Sequence, residues 1–340
     1  MPRLYSFIVP VYNRPGELAE LLNSLAHQSF NRFEVVIIED GSSIRSDYLA
    51  NEFAKRMAMQ YLDLPRSGPS LARNAGARAA KGDYFLFVDS DCILPPDYLM
   101  NIDAFLENNP LDFFGGPDRA AENFTRTQKA ISYAMTSFLT TGGIRGGKKK
   151  VDRFYPRSFN MAVSRHAFET VGGFPITRMH PGEDMVFSIE LIKQGFGSGL
   201  IRDAAVYHKR RATVGKFFKQ VFGFGKTRYL ISKVYPDTFQ LFYLAPSAFL
   251  MGSLALIVLC FLLGWWCLLP LIAWILMVWI DASLKNSSPI TGSLAIITSF
   301  IQLYGYGCGF IHSWWKVGIL HQDLYGISNQ GFYPDRSVNQ

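Results

Sequence analysis

The sequence predicts an α/β protein. A mostly parallel sheet flanked by helices comes first, then a basic amphipathic segment, then a C-terminal membrane helical region. Three observations predict it. Strand-like apolar runs alternate with amphipathic helical stretches from Leu4 to Val88. One run, Tyr84-Phe-Leu-Phe-Val88, stops abruptly in Asp89-Ser-Asp91. From Thr238 to Ile280 there is no Asp, Glu, Lys or Arg.

The elements follow in order. Leu4 to Val11 reads as a first strand. Leu18, Leu21, Leu22 and Leu25 recur at helical spacing. Phe33 to Ile38 is a second strand, closed by the turn-rich Glu39-Asp-Gly-Ser-Ser43. A helix over Asp47 to Met57 and a short strand near Met59 to Leu62 come next. Ser70 to Ala80 is Ala-rich and helical, with Ser70 as its expected N-cap. The acidic strand completes the series. Helices of this length between strands imply parallel pairing and a ligand site at the strands' carboxyl ends.

Composition narrows the class. The 340 residues carry a net charge of +7, yet 49% are hydrophobic. That pairing points to a membrane surface. Between Arg202 and Lys233 the basic residues Lys209, Arg210, Arg211, Lys216, Lys219, Lys226 and Arg228 face Asp203 alone. Cys92, Cys260, Cys267 and Cys308 lack metal-ligand or disulfide-framework spacing and read as reduced thiols. The first residues lack a basic region followed by an apolar stretch, so no cleaved signal peptide is expected.

Asp89 and Asp91, at i and i+2 on a strand end, can share one divalent cation. Hard oxygen ligands suit Mg²⁺ or Mn²⁺, completed by substrate phosphates. An isolated Asp-x-Asp would more simply be a solvated turn. Asp40 can accept from a nucleobase N–H, or serve as an Asx turn or helix cap. Pro10-Val-Tyr-Asn13 stands where a dinucleotide-binding glycine motif would, and no P-loop occurs. Metal rather than backbone is therefore expected to neutralise the phosphates.

Together, Val9-Pro-Val-Tyr-Asn13, Ile38-Glu-Asp-Gly-Ser42, Leu71-Ala-Arg-Asn-Ala-Gly76, Val88-Asp-Ser-Asp91, and Gly172-Gly-Phe174 followed by Gly182-Glu-Asp184 resemble the family 2 glycosyltransferases of the GT-A fold. The resemblance covers roughly residues 4 to 230. It implies a nucleotide-sugar donor held by Pro10, Tyr12, Asn13, Asp40, Arg73 and Asp89. It implies Mn²⁺ or Mg²⁺ on Asp89 and Asp91, Asp91 more directly, with His208 as a further ligand. It places Gly173, Phe174 and Glu183 towards the acceptor and makes Asp184 the general base of an inverting transfer. Acids at 183 and 184 would also suit the start of a helix over Met185 to Gln194, where the dipole favours them.

Leu241 to Leu263 and Trp266 to Ile280 predict two membrane spans joined by a tight turn at Gly264-Trp-Trp266. Ile290 to Trp315 is a third uncharged stretch, able to span, to lie in the interface or to pack on the catalytic domain. Val214 to Phe222 reads as an interfacial helix on anionic lipid. The expected division is a catalytic domain over 1–212, a basic segment over 213–236, a membrane region over 237–316 and a tail over 317–340. The basic segment puts the catalytic domain on the cytoplasmic side of the inner membrane, with a lipid-linked or glycan acceptor and no nucleic-acid partner. The Gln-x-x-Arg-Trp motif of processive synthases is replaced by Gln220-Val-Phe-Gly-Phe224. A nucleotidyltransferase would carry a Gly-rich, Lys-containing N-terminal signature, which is absent. A non-catalytic scaffold would be expected to lose the acidic motifs, which are intact.

Overall fold

The computed structural model describes residues 2–119, 124–142, 154–175, 181–209 and 213–322. Four parallel strands form one side of the main sheet: β1 (Tyr5–Val11), β2 (Phe33–Asp40), β3 (Ala58–Leu64) and β4 (Tyr84–Val88). Helices α1 (Pro15–Leu25), α2 (Asp47–Phe53) and α3 (Pro69–Ala79) connect them. Leu18, Leu21, Leu22 and Leu25 of α1 are buried on one face of the sheet, against Val9, Val35 and Ile37. Ala72 and Ala77 of α3 cover the other face, with Ile8, Val36 and Ile38. Burying a leucine fully contributes about 1.5–3 kcal/mol, so the four on α1 fix that helix firmly.

The short strand β5 (Cys92–Ile93) precedes α4 (Tyr98–Asn108). Then come β6 (Phe113–Gly115), β7 (Asp118–Arg119), α5 (Arg126–Thr136), α6 (Phe138–Thr141), β8 (Asn160–Ser164), α7 (Arg165–Val171), α8 (Glu183–Lys193), β9 (Ser198–Leu200) and β10 (Val206–His208). The seven-stranded sheet runs β3-β2-β1-β4-β8-β6-β9, and β8 pairs antiparallel with β4. A second sheet, β5-β10-β7, places His208 directly across from Cys92. That pairing returns a distant segment to the carboxyl end of β4.

The helix α9 (Val214–Val234) is longer than the expected interfacial stretch. Beyond it lie α10 (Ala245–Leu263), α11 (Leu269–Asn286) and α12 (Pro289–Ser313), the last extended by a π-helical turn over Trp314–Ile319. Three segments, Leu241–Leu263, Trp265–Asn286 and Pro289–Ile319, are long and apolar enough to cross a membrane. The first two form a hairpin turning at Gly264, whose φ is 111°. The third is wedged between that hairpin and the helices α5 and α9.

Several expectations are corrected. The N-cap of α3 is Gly68 rather than Ser70, and Pro69 opens the helix. The helix expected to reach Met57 ends at Phe53, because Met59's neighbour Ala58 already pairs with Glu34. The second hairpin helix continues through Asp281 and Lys285, which pair with each other at 2.9 Å. Arg210 and Arg211 of the basic run, and the tail beyond Gln322, lie outside the described residues.

Candidate active site

The site begins at the end of β4. Arg73, buried on α3, donates from Nη2 to Asp89 Oδ1 at 2.9 Å and from Nη1 to Glu183 Oε1 at 3.3 Å. It joins Asp89 to the first turn of α8, where Glu183 stands 110 residues along the sequence from Arg73 itself. Burial works against its charge, but Asp89 and Glu183 outweigh it and hold the guanidinium pKa above its ordinary value. Its guanidinium also lies over the ring of Phe174, at 5.5 Å from the centroid.

Asp91 faces the other way. Its Oδ1 is 3.2 Å from His208 Nε2, and its Oδ2 accepts from Arg14 Nη1 at 2.8 Å. The His208 ring stacks on Phe159 with centroids 4.6 Å apart, which sets its orientation. Ligand atoms of Asp91, Cys92 and His208 lie within 4.8 Å of one another, and Asp89 is outside this cluster. Cys92 is a poor member: burial, with Asp91 and Asp89 nearby, pushes its thiol pKa well up, and Sγ donates to the Phe159 carbonyl at 3.6 Å. The carboxylate and imidazole that remain can hold a divalent ion such as the resemblance implies, the carboxylate suiting Mg²⁺ or Mn²⁺. His208 Nδ1 is buried without a hydrogen-bond partner, so the ring lacks the usual orienting contact on its second nitrogen. The stack on Phe159 takes over that task.

Asp184 sits one residue from Glu183 at the start of α8, after Gly182 turns the chain with φ 138°. Its Oδ1 accepts from the Met185 N–H at 2.7 Å, and its Oδ2 from the Ser158 N–H at 3.4 Å. Arg157 Nη1 lies 3.7 Å from Oδ1. These contacts hold the carboxylate in one orientation, as a positioned proton acceptor requires.

Other expected residues take different places. Asp40 accepts from the N–H groups of Ser67 and Gly68 and from the Ser67 hydroxyl, so its carboxylate holds the loop into α3. These bonds reach a loop 27 residues along the sequence and form neither an Asx turn nor a helix N-cap. Asn13, at φ 53°, accepts at Oδ1 from Ser43 and Ile44 N–H groups and gives its own N–H to Ser42. It shapes the donor-side loops rather than facing open space. Pro10 is half-buried beside Ile38. Tyr12 is exposed and accepts from Arg66 Nη1 at 2.6 Å, with that guanidinium also over its ring.

The acceptor-side expectation needs correction at Phe174. Its ring is buried in the core against Phe87 and Phe187, so it supports Arg73 and presents no surface to an acceptor. Gly173 turns the chain with φ 91°, where Asn74 bonds both the N–H and the C=O of Phe174. Glu183 is spent on Arg73. Sequence reasoning missed Arg14, Glu39, Asn74, Arg157 and Phe159. Glu39 and Asn74 lay inside quoted motifs, beside the residues chosen. Glu39 is fully buried and gathers Ser42, Ser46 and Tyr61. Nothing in the local sequence marked Arg14, Arg157 or Phe159.

Comparisons with known proteins bear on the family and the fold. Residues 6–172 match the family model described as glycosyl transferase family 2. The uncharacterized glycosyltransferase EpsJ of Bacillus subtilis is 35% identical over 113 residues, which are 33% of this chain and 33% of that protein. This chain thus spans a third of that relative's length. The succinoglycan biosynthesis protein ExoA of Rhizobium meliloti is 24% identical over 325 residues, 89% of this chain and 92% of the relative. The mannosyltransferase PcManGT of Pyrobaculum calidifontis, solved in complex with GDP-Man and Mn²⁺, superimposes with TM-score 0.65 at 18% identity, covering 93% of this chain and 88% of that one. At that identity the likeness carries the fold. Residues 6–172 thus match a family 2 glycosyltransferase domain, on a fold like that of the GT-A glycosyltransferases, and three helices apolar and long enough to cross a membrane follow.

Proposed function

We propose that this protein is a membrane-bound, inverting, metal-dependent glycosyltransferase. It moves a sugar from a nucleoside-diphosphate donor, a UDP-sugar by expectation, to a lipid-linked or membrane-proximal acceptor in cell-surface polysaccharide or glycoconjugate synthesis. The observation that carries this reading is the convergence, within a family 2 domain, of Asp91 with His208 and of Asp89, Arg73, Glu183 and Asp184. ExoA, named for succinoglycan biosynthesis, supports the polysaccharide setting. PcManGT, with GDP-Man and Mn²⁺, supports a metal and nucleotide-sugar pairing and leaves the base of the donor to experiment.

Asp91 and His208 would hold the ion. When bound, the ion would neutralise the leaving diphosphate as a Lewis acid. Arg73 keeps Asp89 fixed at the donor side. Asp184 takes the proton of the acceptor hydroxyl as that oxygen attacks the anomeric carbon from the face opposite the leaving group. By the positive-inside rule, the basic residues of α9 support a catalytic domain on the cytoplasmic side of the inner membrane.

The test is a donor screen with purified full-length protein and Mn²⁺. Hydrolysis or transfer is expected with one sugar among UDP- and GDP-linked donors, and its loss in EDTA and in Asp91→Ala. Turnover undiminished in EDTA sinks the metal assignment, and no turnover of any nucleotide sugar sinks the enzyme assignment.

A further inference from the structure

We propose that Arg14 is a tethered cation that occupies Asp91 before the donor arrives. It leaves for the donor diphosphate when the divalent ion binds, so that ion and nucleotide bind together rather than in turn. The proposal rests on the metal and nucleotide reading above.

Three observations lead there. First, the backbone beside Arg14 is pinned. Asn13 adopts a left-handed conformation and is bonded through its N–H and its Oδ1 to Ser42, Ser43 and Ile44. Second, the Arg14 side chain is not pinned. It is 40% exposed, and it does not cap α1 although it stands at the cap position. Third, its Nη1 meets Asp91 Oδ2 at 2.8 Å, while His208 Nε2 faces the other oxygen at 3.2 Å. The carboxylate thus has one oxygen turned to a metal-ligand partner and one held by a fixed positive charge.

An ion joining Asp91 and His208 would share a single carboxylate with a guanidinium. Like charges at that range repel strongly, even where water screens them in part. Ion binding alone is therefore opposed. A nucleoside diphosphate reverses the balance, because it brings negative charge to both. A guanidinium is well suited to phosphate oxygens, which it can grip with two parallel N–H groups. The exposed arm of Arg14 has the freedom to turn from Asp91 to that diphosphate without moving its backbone. The plainer reading is a fixed ion pair that ties α1 to β4. Arg14 is 40% exposed, and Asp91 keeps His208 beside it when Arg14 turns away.

The experiment titrates full-length protein in detergent with Mn²⁺ alone, reading free Mn²⁺ by electron paramagnetic resonance. It is repeated with saturating UDP and, separately, GDP. Wild type is compared with Arg14→Gln, Arg14→Lys and the double variant Arg14→Gln/Asp91→Ala. Coupling between two sites typically amounts to roughly 5–150-fold. Arg14→Gln is therefore expected to bind Mn²⁺ alone about tenfold more tightly than wild type. It should gain correspondingly less from nucleotide, with Arg14→Lys nearer wild type. The gain should vanish in the double variant. Equal Mn²⁺ affinity of wild type and Arg14→Gln without nucleotide overturns the proposal while the metal site stands. So does an extra Mn²⁺ affinity that survives loss of Asp91. No Mn²⁺ bound by wild type, with or without UDP or GDP, overturns the metal reading and this proposal with it.

Discussion

Asp184 is held by two backbone N–H groups and has Arg157 at its edge. An amide in its place keeps the shape and loses the proton acceptor. Asp184→Asn is expected to leave donor binding near its wild-type value and to cut turnover by ~10²-fold or more, the usual scale for a general base. Calorimetry with the donor and a turnover assay check the two halves, and near-normal turnover would falsify the role. A second residue makes a pH prediction. Glu34 is buried, and burial would raise its carboxyl pKa. Hydrogen bonds from the Lys81 N–H, Ser6 and Gln60 outweigh burial and hold the pKa below its ordinary value. Its stabilising contribution is therefore present above the unfolded value of roughly 4.3 and is lost as pH falls through the folded value. Thermal melting should fall more steeply below about pH 4 in wild type than in Glu34→Gln. Parallel curves would remove Glu34 from the acid response. At this scale the charged motif residues were legible, because several motifs bearing them follow one another in order along the chain. Arg14 and Phe159 were not, because their partners Asp91 and His208 lie 77 residues and a sheet pairing away. Phe174 was misread because a motif says where a residue stands and not which way its ring turns.

Helix α12 is the element that hydropathy alone reads least well. Its composition passes as a span, yet 50% of its most apolar window is buried, against 6% and 11% for the two arms of the hairpin. Apart from Leu303 and Phe310 the buried residues are small or polar, among them Thr291, Gly292, Ala295, Thr298, Ser299, Gly305, Gly307 and Gly309. They let other backbones approach. A Cβ on Gly225 would stand 2.0 Å from the Tyr306 carbonyl, and one on Gly309 would stand 2.1 Å from the Phe222 carbonyl. Contacts advance together along both helices, from Val221 beside Gly305 to Lys233 on the Val317 carbonyl, so α9 and α12 run parallel. Helix α9 carries Lys216, Lys219, Lys226, Arg228 and Lys233, a load the hydrocarbon core does not accept. A helix in backbone contact with it lies at the same depth. The prediction is that α12 rests in the interface beneath the catalytic domain and only the hairpin crosses. A reporter inserted after Gln322 should then report the cytoplasmic side, like one joined ahead of β1. Activity of that reporter on the outer side would show that α12 spans. The parallel strands and α1 were legible because their apolar period is matched by one simple burial face. Helix α12 was ambiguous because lipid and protein can cover the same apolar stretch.

At the scale of the whole molecule, catalytic and membrane elements are joined at several independent points. Tyr133 of α5 donates to Asp281 of α11 at 2.7 Å, and Trp274 of the same helix donates to the Leu139 carbonyl at 3.1 Å. Thr298 of α12 donates to the Ala130 carbonyl at 2.9 Å. On the other flank, Arg228 of α9 reaches the Met185 sulfur at 2.7 Å, one residue from Asp184, and also lies over the Tyr243 ring where the first apolar segment begins. The turn of α8 that bears Asp184 is thus braced by the basic helix α9, and on the proposed membrane-bound reading the site would be held at a fixed height above the bilayer. An acceptor anchored in the same membrane would be delivered to that height. Its effective concentration there reaches the millimolar range common for tethered partners. The same sugar free in solution lacks this advantage. Transfer to a lipid-linked acceptor in nanodiscs should therefore exceed transfer to the free sugar, at equal bulk concentration, by about 10²-fold or more. Radiolabelled sugar partitioned between lipid and aqueous phases measures the ratio. Equal rates on both acceptors would refute the lipid-linked reading and leave the glycosyltransferase assignment standing, because the Asp91, His208 and Asp184 geometry does not depend on how the acceptor arrives.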